Sequence, residues 1–395
     1  MVYNLRRRNI RGAAPLTVGI DGRYLQDKFH GIGRYVHNLL TGLCAIDGDV
    51  KIIVFVDPAL PNRRFPLDTF VRPGKIEFRD ISIPLYGPQE LWAWPVELLR
   101  TPVDVFHSPF FWSPLALPCP LVATVHDMIL DRYPQYMPGL RYLLPYRIMS
   151  RLALRAARRV IAVSDATKRD IVRFSATDPA KIDTILCGVD TTYYRPVTVE
   201  EECARVRDRY GLPEAYVLAV GARRPHKNIH GLISAFERIK GEVSQSLVLV
   251  GTVDDRFVDR AGEGIAALKR EGRMIEIAHV DEEDLPILYA MADLFVQPSI
   301  VEGFGAPVIE AMACGCPVAC SNTASLPEVA GDAAVLFNPR SEAEMAEAVR
   351  GVLLSSDLRD DLRLRSVRRA RQRQFTLEAV ATHTLDVYRS AASTA

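Results

Sequence analysis

The chain has 395 residues, of which 48% are hydrophobic and 25% charged, and its formal net charge is +1 at pH 7. This length exceeds what one hydrophobic core normally supports, so two domains are expected. The balanced charge argues against a protein that binds nucleic acid over much of its surface. The seven scattered cysteines argue against a disulfide framework and for a reducing compartment.

The amino terminus, MVYNLRRRNIRG, is basic but lacks the apolar run of a signal peptide. No stretch of the sequence reaches the roughly 18 apolar residues of a membrane-spanning helix. We therefore expect a cytoplasmic protein, and peripheral attachment to the inner face of a membrane stays open.

Short apolar runs alternate with helix-period stretches along the chain. Strands are predicted at residues 16–20, 51–56, 103–108, 121–127 and 159–164, and again at 215–221, 246–251, 273–280, 294–299 and 317–321. This βαβ alternation predicts an α/β fold with two Rossmann-like, doubly wound parallel-sheet domains that face each other across a cleft. It breaks between 187 and 215, so we place the domain boundary near 190–212, with an N-terminal domain at 1–195 and a C-terminal domain at 210–372. A C-terminal helix at 373–395 is expected to pack back toward the first domain.

Ligands of such folds collect beyond the carboxyl ends of the strands, so residues that follow strands are the site candidates. Gly31 and Gly33 are the first, and we place them in a loop directly before a helix. Val36 replaces the third glycine of a dinucleotide fingerprint, so NAD binding is not expected. The loop either admits a phosphate or an acceptor, or is an ordinary glycine-rich turn.

Two histidines end predicted strands of the first domain. His107 lies beside Phe110, Phe111 and Trp112, and these aromatics, together with residues 90–99, either line an acceptor groove or pack the domain. His126 and Asp127 are expected on the cleft side. Ser164 follows the next strand and suits a helix N-cap, an explanation that stands beside a ligand contact.

Residues 139–159 carry six arginines and no acidic residue. Arginines recur at helical spacing from Arg147 to Arg158, and Pro145 is expected to interrupt the first helical turn. A basic amphipathic helix of this kind suits an anionic lipid surface. A solvated helix that packs on its own domain is the alternative.

The turn after the strand at 215–221 reads GARRPHKN. Arg223, Arg224 and Lys227 lie where a diphosphate would be met by charge-assisted hydrogen bonds if the cleft model is correct. Solvated loop charges are the alternative.

The stretch VEGFGAPVIEAMACG, residues 301–315, places Glu302 before a glycine turn and Glu310 within a helix that ends near Gly315. The helix N-terminus favours an anion, and Gly303 and Gly305 let the backbone approach a ligand closely. Carboxylates accept paired hydrogen bonds from sugar or ribose diols. The pattern therefore indicates a ligand with both phosphates and hydroxyls, and a capped helix with two solvated glutamates is the alternative.

Two other patterns could indicate a metal. The D-G-D sequence at 47–49 resembles a metal-binding motif, but it precedes a predicted strand. The cysteine cluster that starts at Cys314 has no histidine near it in sequence. We predict no essential metal.

From GIGRYVHNLL to the C-terminal helix, the chain resembles the retaining glycosyltransferases of family 4, which have the GT-B fold. The two glutamates around G-F-G and the following EAMACGCPVACSNTASLPEVAGDAAVLFNP carry this resemblance. It implies that Glu310 binds the nucleotide ribose and that Glu302 lies at the donor sugar. It also implies that Gly303, Phe304 and Gly305 supply amides near sugar and phosphate.

The resemblance further assigns Lys227, with Arg223 or Arg224, to the diphosphate, and His126 to the reaction centre. The expected catalytic residues are therefore His126, Arg223, Lys227 and Glu302. Further contacts with the donor or the acceptor are implied for Gly31, Gly33, Ser164, Arg224 and Val280.

The order of motifs is most similar to bacterial exopolysaccharide and O-antigen mannosyltransferases. The expected reaction transfers mannose from GDP-mannose, with retention of configuration, to a hydroxyl of a lipid-linked oligosaccharide. The alternatives are a UDP-sugar or deoxysugar donor, a nucleotide-sugar epimerase of the same fold, and a non-catalytic nucleotide-sugar-binding subunit.

Overall fold

The computed structural model describes residues 15–393 except 29, 48, 138, 198 and 259. The basic amino terminus and the glycine of D-G-D lie outside the described residues. The strands are β1 (Leu16–Asp21), β2 (Val50–Val56), β3 (Ile76–Asp80), β4 (Val105–Ser108), β5 (Leu121–Val125), β6 (Arg159–Ala162), β7 (Ile182–Thr184), β8 (Tyr216–Val220), β9 (Ser246–Val250), β10 (Met274–Ile277), β11 (Leu294–Gln297), β12 (Val318–Ser321) and β13 (Ala334–Phe337).

α-Helices connect most of the strands. They are α1 (His30–Ala45), α2 (Glu90–Arg100), α3 (Ile129–Arg132), α4 (Leu140–Ala156), α5 (Asp165–Ser175), α6 (Glu200–Tyr210), α7 (Ile229–Ile239), α8 (Gly262–Arg270), α9 (Leu285–Met291), α10 (Ala306–Ala313), α11 (Leu326–Ala330), α12 (Glu342–Leu354), α13 (Ser356–Ala370) and α14 (Leu377–Ser393).

The strands form two sheets, one in each half of the chain. The first has the order β3-β2-β1-β4-β5-β6-β7 and the second the order β10-β9-β8-β11-β12-β13. The strand pairs of both sheets are parallel. The order reverses between β1 and β4 and again between β8 and β11, so each sheet has a switch point where ligands normally bind.

Each sheet is covered by helices on both faces, which explains the nearly continuous apolar strands. In β2, Ile52 joins a core with α1 and α14, whereas Ile53 joins a core with α2 and α4. Successive strand residues point to opposite faces. In the second sheet, Leu218 and Ala219 of β8 divide in the same way between two cores.

Three strands escaped the sequence prediction. β3, β7 and β13 are short and lie at sheet edges. Most residues of β3 and β13 are not buried, and β7 has only three residues. These strands therefore lack the apolar runs that identify the central strands. β5 and β10 are also shorter than predicted, and His126 and Val280 follow these strands instead of ending them.

Two local predictions about helices were wrong. Gly31 and Gly33 lie inside the first turn of α1 rather than in a loop before it. Pro145 does not interrupt α4, because the helix runs from Leu140 to Ala156 with Pro145 inside it.

The chain crosses between the two sheets twice. After β7 it leads to α6, whose Arg205 donates a hydrogen bond of 2.7 Å to the buried Asp284 of the second half. After α13 it returns, and α14 packs on α1 in the first core. The crossings touch each other, because the amide of Val189 donates a hydrogen bond of 2.9 Å to the carbonyl of Phe375.

Candidate active site

The carboxyl edges of the two sheets face each other and meet at Gly303, which follows β11. A Cβ atom on Gly303 would lie 1.7 Å from the carbonyl oxygen of His126, which follows β5. The Gly303 carbonyl accepts hydrogen bonds from Ser164 Oγ at 2.6 Å and Thr167 Oγ1 at 3.0 Å. This glycine is therefore required by the close approach of the two domains.

Ser164 has two structural tasks. Its Oγ caps α5 by accepting the Thr167 amide at 3.0 Å, as the sequence predicted. The same hydroxyl donates to the Gly303 carbonyl in the other domain. The cap thus also fixes the glycine turn.

A buried ion pair lies beside this turn. Lys227 Nζ is 2.7 Å from Glu302 Oε1, which also accepts hydrogen bonds from Ser299 Oγ at 2.6 Å and Gln297 Nε2 at 2.9 Å. Glu302 is only 9% exposed. Burial by itself raises the pKa of this carboxyl, but Lys227 and Ser299 outweigh it and hold the pKa below the ordinary value. Glu302 is therefore an ionised carboxylate held by donors on one oxygen.

The glycine turn is rigid. Ser325 Oγ donates to the carbonyls of Glu302 and Phe304 at 3.0 and 2.9 Å. The Phe304 ring is buried near the Phe375 ring, so Phe304 offers the cleft its backbone and not its ring. Gly305 has a φ of +93°, a conformation that favours glycine, and directly precedes α10.

Glu310 lies on α10 in a different environment from Glu302. Tyr289 Oη donates to Glu310 Oε2 at 3.3 Å. Burial raises the pKa of Glu310, against the opposing effects of Arg34 and the neighbouring tyrosines. Val280 is buried in a hydrophobic core of the second domain, together with Leu218 of β8, so its side chain packs inside that domain.

The two arginines of the Lys227 loop are bound within the second domain. Arg223 Nη2 is 2.5 Å from Glu276 Oε1, and Arg224 Nε is 3.0 Å from Asp254 Oδ2. Of these three basic residues, Lys227 is the one that the structure joins to Glu302.

His126 is a neutral imidazole at the cleft edge. Its Nε2 lies 2.9 Å from the Pro109 carbonyl oxygen. A carbonyl can only accept, so Nε2 carries the proton and Nδ1 has the lone pair. Burial lowers the pKa of His126 to about 4, although the Pro109 hydrogen bond opposes this. Asp127 is the next residue. Burial raises the pKa of the Asp127 carboxyl, and the negative charge of Glu302 raises it further.

His107 packs the domain. Its ring nitrogens lie 2.7 Å from Tyr388 Oη and 2.8 Å from Thr124 Oγ1, and the side chain is fully buried. Burial lowers the pKa of His107 to about 3. The His107 ring therefore serves packing, because it joins β4 and β5 to α14.

The glycines of α1 differ from each other. A Cβ on Gly33 would lie 2.7 Å from both the Tyr24 carbonyl oxygen and the Phe65 ring, whereas a Cβ on Gly31 would meet no atom of the described residues within 4 Å. Gly33 is thus explained by packing. Gly31 leaves open space at the start of α1.

Other contacts at the cleft had no signal in the sequence. Arg34 and Arg64 of the first domain form ion pairs with Glu282 of the second. Thr167 also bonds across the cleft. Ser299 was within reach of sequence reasoning, since it ends the predicted strand at 294–299, but the long-range pairs were not.

The residues described by the structure contain no group of three or more His, Cys, Asp or Glu side chains that could hold a metal. Asp47 and Asp49 precede β2, at the amino edge of the first sheet. Within the same described part of the chain, none of the helices has the length and hydrophobicity needed to cross a membrane.

Two Rossmann-like parallel-sheet domains whose carboxyl edges face each other have the architecture of the GT-B glycosyltransferases. The family models "Glycosyltransferase Family 4" and "Glycosyl transferases group 1" match residues 29–193 and 205–372. The O-antigen chain mannosyltransferase B of Escherichia coli is 34% identical over 314 residues, which cover 77% of this chain and 78% of that protein. The chain belongs to glycosyltransferase family 4, as the sequence predicted, and it is a glycosyltransferase.

Two further similarities extend this result. The serotype-specific mannosyltransferase WbdA of E. coli is 26% identical over 355 residues, which cover 87% of this chain but only 41% of that protein. The sucrose-phosphate synthase of Thermosynechococcus elongatus superposes with a TM-score of 0.73 at 22% identity, over 96% of this chain and 100% of that one. The structural match confirms the GT-B fold.

Proposed function

We propose that the enzyme transfers mannose from GDP-mannose to a hydroxyl of a lipid-linked oligosaccharide, with retention of the anomeric configuration, in bacterial polysaccharide biosynthesis. The observation that carries the proposal is the buried Lys227–Glu302 pair beside the Gly303 turn, opposite His126. The relatives named as mannosyltransferases support mannose as the sugar and an O-antigen type of acceptor.

The donor is bound by the second domain in this proposal. Its diphosphate lies at the N-terminus of α10, where backbone N–H groups and the helix dipole favour an anion. Lys227 meets the same diphosphate, together with Arg223 or Arg224 once either exchanges its present carboxylate partner. Glu310 accepts the ribose hydroxyls, and Glu302 accepts a hydroxyl of the sugar.

In the transfer step the acceptor oxygen forms a bond to the anomeric carbon on the face from which the diphosphate departs. The bond between that carbon and the phosphate oxygen breaks, and a phosphate oxygen takes the acceptor proton. Negative charge accumulates on the leaving diphosphate, and Lys227 and the α10 N-terminus stabilise it. Removal of one preorganised donor of this kind typically raises the barrier by about 2.7–4 kcal/mol.

His126 serves this step as a neutral group. With its proton on Nε2 held by Pro109, Nδ1 is available to accept a hydrogen bond from a sugar or acceptor hydroxyl. Its pKa of about 4 means that it carries no positive charge at neutral pH. The imidazole thus orients a hydroxyl and leaves the diphosphate charge to the second domain.

The test is a donor screen with the purified enzyme, followed by transfer to a lipid-linked acceptor and analysis of the product's anomeric configuration. GDP and GDP-mannose should raise the melting temperature, and mannose should be transferred. Lys227→Ala should lower the rate about 100- to 1,000-fold. Lys240→Ala is the matched control, because Lys240 pairs with Glu271 on the surface of the same domain.

Other outcomes would select the alternatives. Stabilisation by UDP-sugars or deoxysugar nucleotides alone would contradict the GDP-mannose donor. Conversion of a nucleotide sugar without any acceptor would indicate an epimerase. Donor binding with no effect of Glu302→Gln on cellular glycan would indicate a non-catalytic subunit.

We also propose that α4 and α2 rest on an anionic membrane surface and bring the lipid-linked acceptor to the cleft. Four apolar residues of α4 are solvent-exposed at intervals of four residues, from 79% to 42%: Leu140, Leu144, Ile148 and Leu152. On α2, Trp92, Val96 and Leu99 form a second exposed apolar stripe, and both helices pack on the same core. Exposed apolar stripes beside arginines are typical of helices that lie on a membrane.

Not all arginines of α4 are available to a membrane surface. Arg147 donates to the Asp131 carbonyl at 3.3 Å and Arg151 to the Phe174 carbonyl at 3.1 Å, so both also serve the fold of the domain. Arg141 and Arg155 are exposed beside the apolar stripe.

Vesicle flotation tests this surface. The enzyme should bind vesicles that contain anionic lipid and dissociate at high salt, and the double variant Leu144→Ser, Ile148→Ser should bind more weakly. Leu364→Ser is a matched control, since Leu364 is an exposed leucine on α13 of the other domain. No binding of the wild-type enzyme at low salt would contradict the proposal.

A further inference from the structure

The loop between β3 and α2 contains a residue in an unfavourable conformation. Tyr86 has a φ of +61°, which is rare for a large side chain, and the residue is 41% exposed. Such conformations persist only where the surrounding structure imposes them, and they concentrate at binding sites. The loop follows β3 at the carboxyl edge of the first sheet, the edge that faces the second domain.

A buried cluster of charges imposes this conformation. Glu90 accepts the Tyr86 amide. Arg23 pairs with Asp21 at 2.6 Å and with Glu90 at 3.3 Å, and it donates to the Ile83 carbonyl at 2.8 Å. Arg23, Asp21 and Glu90 are all nearly inaccessible to solvent. Their desolvation is costly, and the proposed transfer step uses none of them.

Several aromatic rings lie beside this charge cluster. Tyr86 packs against Phe110 and Trp112 with ring centroids 5.9 and 6.3 Å apart, and the buried Tyr24 lies 6.1 Å from Phe110. Phe110 and Trp112 are partly exposed. The residue before Phe110 is Pro109, whose carbonyl holds His126, so these rings adjoin the proposed reaction centre.

We propose that Tyr86, Phe110 and Trp112 form an acceptor subsite, on which a pyranose ring of the acceptor glycan packs its C–H face. Aromatic faces carry partial negative charge and bind apolar surface, and Tyr and Trp combine this with a polar edge that suits a hydroxylated ligand. The subsite rests on the proposed function, because it presumes a glycan acceptor. It assigns to Arg23, Asp21 and Glu90 the positioning of the Tyr86 loop.

Tryptophan fluorescence tests the subsite without any donor. The chain has three tryptophans, and they differ sharply: Trp94 is buried, Trp92 is 63% exposed on α2, and Trp112 belongs to the subsite. Titration with mannotriose should change the emission of the wild-type enzyme and of Trp92→Phe. Trp112→Phe should abolish the change. A signal that depends on Trp92, or no signal at all, would overturn the proposal.

Steady-state kinetics supply the second test. Tyr86→Gly removes the ring and also relieves the positive φ, so it should fold at least as well as the wild type. Its acceptor KM should rise about tenfold or more, the loss of one aromatic contact worth about 1.4 kcal/mol, with the donor KM unchanged. Tyr86→Phe should restore the acceptor KM. An unchanged acceptor KM in Tyr86→Gly would overturn the subsite.

The two proposals can fail separately. If the enzyme transfers mannose but its fluorescence does not change with mannotriose, the subsite is wrong and the proposed function stands. If mannotriose gives a fluorescence change that depends on Trp112 but the enzyme transfers no sugar, the subsite stands and the proposed function is wrong.

Discussion

The loops that follow β1 and β8 occupy corresponding places in the two sheets, and both contain basic residues paired with acids. In the first domain, Arg23 is sealed among Asp21, Glu90 and backbone carbonyls. In the second, Lys227 pairs with Glu302 at the cleft and is partly exposed. A sealed cluster can only shape the loops around it. A pair at the cleft can exchange a protein partner for a ligand. Under the proposed function, the same kind of interaction would thus give shape in one domain and binding in the other.

The strongest test of this comparison is a substitution at Arg23. Arg23→Met leaves Asp21 and Glu90 buried without their cation and should destabilise the fold by about 3–5 kcal/mol. Arg350→Met removes a solvent-exposed surface pair with Glu347 and should leave the stability nearly unchanged. Urea unfolding measures both. Equal stability of the two variants would show that the Arg23 cluster does not hold the first domain together.

The approach of the domains is tested at Gly303. The methyl group of Gly303→Ala would overlap the His126 carbonyl, so the cleft cannot close as observed. Misplacement by about 1 Å can cost roughly 100-fold in rate, and a loss of this size is expected in kcat with little change in donor affinity. Gly351→Ala, in α12, is the control, because its methyl group would meet no atom within 4 Å in the part of the chain that the structure describes. Wild-type kcat in Gly303→Ala would mean that closure at this point is not needed.

Acid should weaken the first domain through its buried histidines. The pKa values of His107 and His126, about 3 and 4, lie below the ordinary 6.5 because of burial. Between pH 6.5 and 4 the unfolded chain therefore binds protons that the folded chain does not. Each histidine should then lower the free energy of unfolding by about 1.4 kcal/mol per pH unit as the pH falls through this window.

Urea unfolding at several pH values measures this slope. His107→Gln should be less stable at neutral pH but should show a shallower fall with acid. An unaltered slope would mean that His107 is not buried as a neutral ring in solution.

The smallest expected effect separates capping from contact across the cleft. Ser164→Ala and Ser341→Ala each remove an N-cap, but only Ser164 also donates to Gly303 in the other domain. Each variant should lose about 1 kcal/mol of stability. Only Ser164→Ala should also lower kcat, by a factor of about 2–10 for one hydrogen bond. Identical kinetics for the two variants would restrict Ser164 to capping.

The central strands and several cleft residues were predictable because they depend on local patterns. Buried parallel strands appear as apolar runs, and His126, Lys227 and Glu302 stand out because each comes soon after such a run. The edge strands β3, β7 and β13 were missed because half-exposed strands lack this pattern.

Long-range pairing was not predictable. Arg223 pairs with Glu276, which lies on β10 and is distant from Arg223 in sequence, and the contact of Arg34 with Glu282 joins residues of different domains. Nothing in the sequence near these residues encodes such partners. The positive φ of Tyr86 is another example, since it is imposed by charges buried in a neighbouring part of the chain.

The adjacency of the two interdomain crossings limits how the enzyme can open. Because Val189 and Phe375 are hydrogen-bonded, the connecting segments form a double strap and not two separate tethers. Such a strap permits a swing about one axis but resists twisting and sliding. Each opening and closing would then return the Gly303 turn to the same place against His126. Under the proposed function, this would preserve the alignment of donor and acceptor from one turnover to the next.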